Sequence, residues 1–168
     1  MTARSMTSSS DHPAPAIRVA YVDVLVLRGI ADDLRVLCLR RGPRGRSPGS
    51  WEAVHGHMDA GETPVDAALR ELAEETGVTP ERLYNLSRVE VFYRHSVNEV
   101  VLIPVFAAVV AEGQEVRISA EHDACEWLPP EAAKARVAWP RIRREITDAV
   151  RLLGRGGAGA IEDVLRVR

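Results

Sequence analysis

The sequence predicts an α/β protein in which a mixed sheet packs between helices, and three observations carry that expectation. Val- and Leu-rich runs of strand length alternate with polar turns through the first third of the chain. One central segment carries both a start and a stop signal for a helix. Further strand-like runs then lead to a second helical segment near the end.

In chain order, Ile17 to Arg28 (IRVAYVDVLVLR) and Leu34 to Arg40 (LRVLCLR) read as a pair of strands separated by Gly29 and Asp32-Asp33. A loop rich in Gly, Pro and Arg follows, then a short strand at Trp51 to His55. The helix is predicted from Pro64 to Thr76. Thr63 offers a hydroxyl N-cap, Pro64 suits a first position whose N–H would have no partner, and Gly77 supplies the stop. Leu86 to Tyr93, Val100 to Val110 and Cys125 to Leu128 read as three more strands. Pro104 cannot donate to a ladder, so it predicts a bulge or an edge within the second of these. Pro129-Pro130 opens a turn or short helix, and a helix from Pro140 to Leu153 closes the domain.

This divides the chain into a flexible leader over residues 1–16, a domain over 17–153, and a Gly-rich joint with a tail over 154–168. The ending AIEDVLRVR reads as either a docked short helix or a frayed tail. The leader is rich in Ser, Thr and Pro without an apolar stretch of signal-peptide length, and no later run reaches about 18 apolar residues. A cytoplasmic protein without a membrane partner is expected.

With 168 residues, 46% apolar and 27% charged, the composition suits one sizeable core and excludes global disorder, a collagen and a disulfide scaffold. The balance of 22 basic against 24 acidic residues leaves a net charge of −2. No overall positive field or basic-aromatic strip marks the chain as nucleic-acid binding, so any anionic ligand must be gathered by a local site. Cys38 and Cys125, each inside an apolar run, read as reduced core thiols.

Chemistry is expected in Gly56 to Val78, GHMDAGETPVDAALRELAEETGV. At about 100° per residue, Glu71, Glu74 and Glu75 fall within a sector of about 100°, while Val65, Leu69, Leu72 and Thr76 cluster on another side. Like charges at these spacings cost a few tenths of a kcal/mol per pair on an isolated helix. Either the face is simply solvated, or a divalent cation neutralises it. Oxygen donors suit hard ions, Mg²⁺ first and Mn²⁺ second. His55 and His57 lack zinc-site spacing, and their side chains read as structural or solvent-facing.

The segment resembles the Nudix box: Gly, five residues, Glu, seven residues, Arg-Glu, an aliphatic, any residue, Glu-Glu, any residue, Gly, an aliphatic. Gly56, Glu62, Arg70, Glu71, Leu72, Glu74, Glu75, Gly77 and Val78 supply it without departure. The resemblance implies an α/β/α sandwich and metal-dependent hydrolysis of a nucleoside diphosphate linked to another moiety. It implies that Glu74 and Glu75 ligate Mg²⁺, that Glu71 ligates or acts as base, that Arg70 orients Glu71, and that Glu62 supports the site. The backbone carbonyl before the box glycine is also implied as a ligand. Here it belongs to His55, where glycine is commoner.

Arg40, Arg41, Arg44 and Arg46 crowd one loop, and Arg40 is the candidate for gripping substrate phosphate, the alternative being a solvated loop. SAEHDACEWLPPEAA followed by WPRIRREITDAV resembles the tail of the dihydroneopterin triphosphate and deoxynucleoside triphosphate pyrophosphohydrolase branch. That implies Glu121 as an accessory metal ligand or alternative base. Trp127 reads as core rather than as a base-stacking platform. Tyr93 stands where dinucleoside polyphosphate hydrolases often place a tyrosine. The expected reaction converts a nucleoside or pterin triphosphate to monophosphate and pyrophosphate. The alternatives are hydrolysis of dinucleoside polyphosphates, nucleotide sugars or ADP-ribose, and a catalytically silent binding module. A homodimer is compatible with the resemblance, which localises no interface.

Overall fold

A computed structural model describes residues 14–168; most of the expected leader, residues 1–13, lies outside them. β1 (Ala16–Val19) and β2 (Tyr21–Arg28) lead to β3 (Arg35–Arg41), β4 (Trp51–Glu52) and β5 (Val54–His57). α1 (Pro64–Thr76) is followed by β6 (Arg82–Arg94), β7 (Glu99–Val109) and β8 (His122–Leu128). α2 (Pro130–Arg136), α3 (Pro140–Leu153) and α4 (Glu162–Leu165) complete the chain. No helix among the described residues is long and apolar enough to cross a membrane.

The sheet is mixed. β1 and β2 run parallel to one edge of β7, β6 runs antiparallel along its other edge, and β3, β4, β5 and β8 pair antiparallel. What reads in sequence as one strand from Ile17 is thus two, because the register against β7 steps by one residue between Val19↔Leu102 and Asp23↔Val105. Pro104 sits opposite that step, and β6 also bulges beside it, between Asn85 and Val89. A residue without an N–H leaves the ladder open there, as its position predicts. The expected strand at Trp51 to His55 is likewise split at Ala53, β8 starts three residues early, and β6 starts four residues early.

One face of the sheet carries Val22, Val24, Val26, Leu37 and Leu39 against Ala67, Ala68 and Leu72 of α1. The opposite face carries Leu25, Leu27, Val36 and Cys38 against Ile142, Ile146 and Ala149 of α3, with Ala133 of α2. This is the α/β/α sandwich, a mixed sheet between helices, that the resemblance implies. Burial pushes the Cys38 thiol up to about 12, which keeps it an inert core sulfur. The tail is docked: Leu165 enters the core, the Val167 N–H bonds the Leu83 carbonyl, and the Tyr84 hydroxyl donates to Glu162 at 2.7 Å.

β2 changes partner along its length. Tyr21–Val24 pair with β5, whereas Leu27 and Arg28 pair with β3. The sheet forks between the two, and the helix carrying the acidic residues lies over one prong. α1 begins and ends where the sequence predicts: Thr63 Oγ1 accepts from the Asp66 N–H at 3.2 Å, and Gly77 adopts φ 68°, left-handed backbone that favours glycine. The cap contributes about 1 kcal/mol.

Candidate active site

The three carboxylates of α1 share a sector but not an environment. Arg70 occupies the outer half of the cluster. Its guanidinium makes a paired contact with Glu62 (2.9 and 2.9 Å), donates to Glu71 at 2.8 Å and to Glu74 at 3.2 Å, and bonds the His57 carbonyl at 2.8 Å. Arg70 and the Asp59 N–H hold the Glu62 carboxyl down at about 2, so it is fully ionised and pins the arginine in place. The Glu71 carboxylate lies across Gly56 of β5. A Cβ built on Gly56 would stand 1.8 Å from Glu71 Cδ, so only glycine lets this helix side chain cross the strand.

Glu75 forms the inner half and is nearly buried. Its carboxyl is pushed up to about 9 by burial first, and then by the charges of Glu71, Glu52 and Glu121; the His55 N–H pulls weakly the other way. One oxygen, Oε2, has no hydrogen-bond partner, and the nearest cationic candidate, His122 Nε2, is 3.8 Å away. In an extended strand a residue's N–H and carbonyl leave the same side of the chain, so the His55 carbonyl also faces Glu75. Glu121 approaches from the start of β8, where Arg41 donates to it at 2.8 Å. With Glu71 and Glu74 turned to Arg70 and Glu121 to Arg41, no three His, Cys, Asp or Glu side chains among the described residues are assembled to hold an ion. The donor set nevertheless fits a hard divalent cation, because it offers an orphaned buried carboxylate oxygen facing three further carboxylates.

Residues 18–150 match the model of the NUDIX domain. The chain belongs to the Nudix family. Among curated relatives it is similar to an octanoyltransferase of Myxococcus xanthus, 35% identical over 147 residues. Those residues are 83% of this chain but only 38% of that protein, so the chain spans well under half of that relative's length. It is also similar to the asymmetrical bis(5'-nucleosyl)-tetraphosphatase of Mus musculus, 36% identical over 85 residues, 49% of this chain and 58% of the relative. Among solved structures it resembles the dihydroneopterin triphosphate pyrophosphohydrolase of E. coli, with 27% identity and a TM-score of 0.60 over 74% of this chain and 91% of that one. Nudix hydrolases act on phosphoanhydride bonds and need a divalent metal, and this Nudix chain keeps every box carboxylate.

Beside the box carboxylates, at the fork of the sheet, opens a cavity of about 300 Å³. Tyr21, Phe92 and Trp139 give it aromatic walls, and Arg41, Arg46, Arg94 and Arg141 give it positive charge. Its floor is a buried network. Asp23 of β2 bonds His55 Nδ1 at 2.5 Å and Arg141 Nε of α3 at 2.8 Å, and the His55 ring stacks on Tyr21 with centroids 5.0 Å apart. Burial would push the Asp23 carboxyl up, but the hydrogen bonds and charges of His55 and Arg141 outweigh it and hold it below the usual carboxylate range. Glu145 lies behind Asp23, fully buried and pushed up to about 9 by burial and then by the Asp23 charge.

Arg40, the sequence candidate for gripping phosphate, stands outside the cavity lining. Its side chain is tied to Asp123 at 2.6 Å and leans toward Trp51, whereas Arg41 and Arg46 line the cavity. Successive strand residues point to opposite faces, so Arg40 follows Val36 and Cys38 away from α1 while Arg41 follows Leu37 and Leu39 toward it. Tyr93, too, is on the face of β6 opposite the cavity, where its hydroxyl donates to Asn98 at 2.9 Å. Trp127 packs in the α1 core, with the Arg28 guanidinium 4.2 Å from its ring centroid, in keeping with a core role. Sequence reasoning missed Asp23, Glu52, His122, Trp139, Arg141 and Glu145. An acid inside a run of Val and Leu, as Asp23 is, was the available signal: such a residue is buried only if paired.

Proposed function

We propose that this Nudix protein hydrolyses a nucleoside or pterin triphosphate to monophosphate and pyrophosphate, using Mg²⁺, or Mn²⁺ in its place, at the α1 carboxylates. Glu71, Glu74, Glu75 and the His55 carbonyl would hold the ion, with Glu121 as accessory ligand. The observation that carries this reading is Glu75, a buried carboxyl crowded by Glu71, Glu52 and Glu121 with one oxygen unpartnered, beside an aromatic and Arg-lined cavity. Bound there, a divalent cation supplies a lowered pKa for water and neutralises charge on the phosphate chain.

The chain's own residues do the rest. Arg70, fixed by Glu62, keeps the Glu71 carboxylate aimed over Gly56, where it accepts the proton of the attacking water. The water oxygen bonds to phosphorus as the anhydride P–O bond breaks, so no covalent enzyme intermediate forms. Arg41 and Arg46 bind phosphate oxygens, and Phe92 and Trp139, edge to face at 6.3 Å, wall the flat ring of the base or pterin.

A second reading, hydrolysis of a dinucleoside polyphosphate, is favoured by the similarity to the mouse tetraphosphatase. A product-resolved panel of deoxynucleoside triphosphates, dihydroneopterin triphosphate and diadenosine tetraphosphate with Mg²⁺ separates the readings. Pyrophosphate from triphosphates is the expected outcome. Preferential cleavage of the tetraphosphate favours the second reading, and no turnover of any substrate favours a silent binding module.

A further inference from the structure

α1 covers the sheet only in part. It packs over β5 and β2, and its core cluster reaches Leu37 and Leu39 of β3, Leu83 at the start of β6 and Phe106 and Ala108 at the end of β7, leaving the wing formed by β1, the later half of β6 and the start of β7 bare on that side. On this bare face Ile17 and Tyr93 both stand opposite Val100, and Val19 and Val91 both stand opposite Leu102, with Val89 one step further along β6. A row of registered partners shares one face, so these side chains form a continuous apolar surface across three strands.

We propose that this face, whose apolar side chains are exposed from 46% at Val19 to 70% at Ile17, is the interface between two copies of the chain related by a two-fold axis. The five exposed side chains amount to roughly 500 Å² of apolar surface, above the few hundred at which contiguous apolar exposure marks an interaction site. With the half-buried Val100, Leu102 and Pro104 between them, they come to roughly 600 Å², the lower end of what each partner contributes to a stable interface. The rows hold no charged side chain, since Arg18 and Glu90 alternate onto the other face of their strands. Two identical patches therefore meet without repulsion, as a self-complementary contact requires. A partner of opposite charge would find nothing here to select it. The chain's own first 13 residues, MTARSMTSSSDHP, are too polar to match this surface. β6 also leaves its outer edge unpaired from about Val89 to Arg94 among the described residues, beside the patch, where a second copy shields it.

Sedimentation equilibrium of the full chain, from about 1 to about 100 μM, tests this without reference to turnover. The wild type is expected to be dimeric in the upper part of that range. Val91→Glu, and independently Ile17→Glu, is expected to be monomeric throughout with a cooperative melt. Val164→Glu, at an equally exposed apolar residue on α4 outside the patch, is expected to stay dimeric. A wild type that is monomeric at every concentration overturns the proposal. So does a dimer that survives both patch substitutions, or one lost equally in Val164→Glu.

Discussion

Glu75 and Glu145 are both buried glutamates pushed up to about 9, yet they are charged with different company. Behind the burial that dominates both shifts, Glu75 faces three other carboxylates, and the two arginines of its cluster are spent elsewhere, Arg70 on Glu62, Glu71 and Glu74 and Arg41 on Glu121 and Glu52. Glu145 faces Asp23, whose charge is already balanced by Arg141 and His55, and less strongly Glu90, which is paired with Arg88 and Arg144. The first region therefore holds more carboxylates than its two arginines balance. In the second the charges balance once Glu145 keeps its proton, even though both of its oxygens, like Glu75 Oε2, are buried without a hydrogen-bond partner. A raised carboxyl alone does not distinguish a site awaiting a ligand from a finished structural pair. The surrounding sum of charge does.

The largest expected effect breaks the comparison on the first side. Glu75→Gln removes a donor without opening a cavity, so turnover should fall roughly 100- to 1,000-fold while the melting temperature in chelator holds or rises. Steady-state rates with Mg²⁺ and a thermal melt check both halves; full activity in the variant would remove Glu75 from the metal site. Next in size, Asp23→Asn should cost about 3 kcal/mol, because it leaves the buried Arg141 without its counter-charge. Glu145→Gln, which keeps the shape and neutrality of the protonated side chain, should cost less than about 1 kcal/mol by denaturant titration.

pH sharpens the same contrast. When folded, Glu75 and Glu145 hold their protons to about 9, against an ordinary value of 4.5. Between those values the folded chain binds more protons than the unfolded one, so in chelator stability falls as pH rises from about 5 to about 9. Each glutamine variant should flatten that slope. Under the proposed function Mg²⁺ would displace the proton from Glu75 and leave Glu145 untouched. The rise in melting temperature on adding Mg²⁺ should then be several degrees, larger at pH 8 than at pH 6, and absent in Glu75→Gln alone. An equal loss of the Mg²⁺ response in Glu145→Gln would erase the distinction between the two regions.

How much of this was legible in the sequence follows the same division. α1 was readable to the residue, because Thr63, Pro64 and Gly77 are local signals that act through the adjacent backbone. The carboxylates it carries were readable through a spacing contained within 23 residues. Their inequality was not. Glu75 differs from Glu74 because Glu52 arrives from β4, 23 residues before Glu75, and Glu121 and His122 arrive from the entry to β8, 46 or more after it. Asp23 meets Arg141 across 118 residues, and the break of β2 from β1 at Ala20 depends on a register set by β7. Contacts of that range are properties of the folded sheet, and no periodicity in a short window contains them.

The smallest effect tests the point at which a one-residue step mattered. Arg40 and Arg41 are neighbours of the same type on β3, and composition cannot rank them. The alternation of the strand does: Arg41 reaches Glu121 at 2.8 Å and Glu52 at 3.4 Å at the mouth of the cavity, while Arg40 is occupied by Asp123 on the far side. Arg41→Gln removes a cation from beside the substrate phosphates and frees Glu121 and Glu52 to repel them. KM should rise about tenfold, the scale of one charge-assisted contact. Arg40→Gln should leave kcat and KM within about twofold of wild type, as expected of an exposed ion pair remote from the reaction. Rates for the two variants on the substrate identified by the panel decide it. A larger loss in Arg40→Gln than in Arg41→Gln would mean that substrate binds across β4 and Trp51 instead, and that the cavity at the fork is not where the phosphates lie.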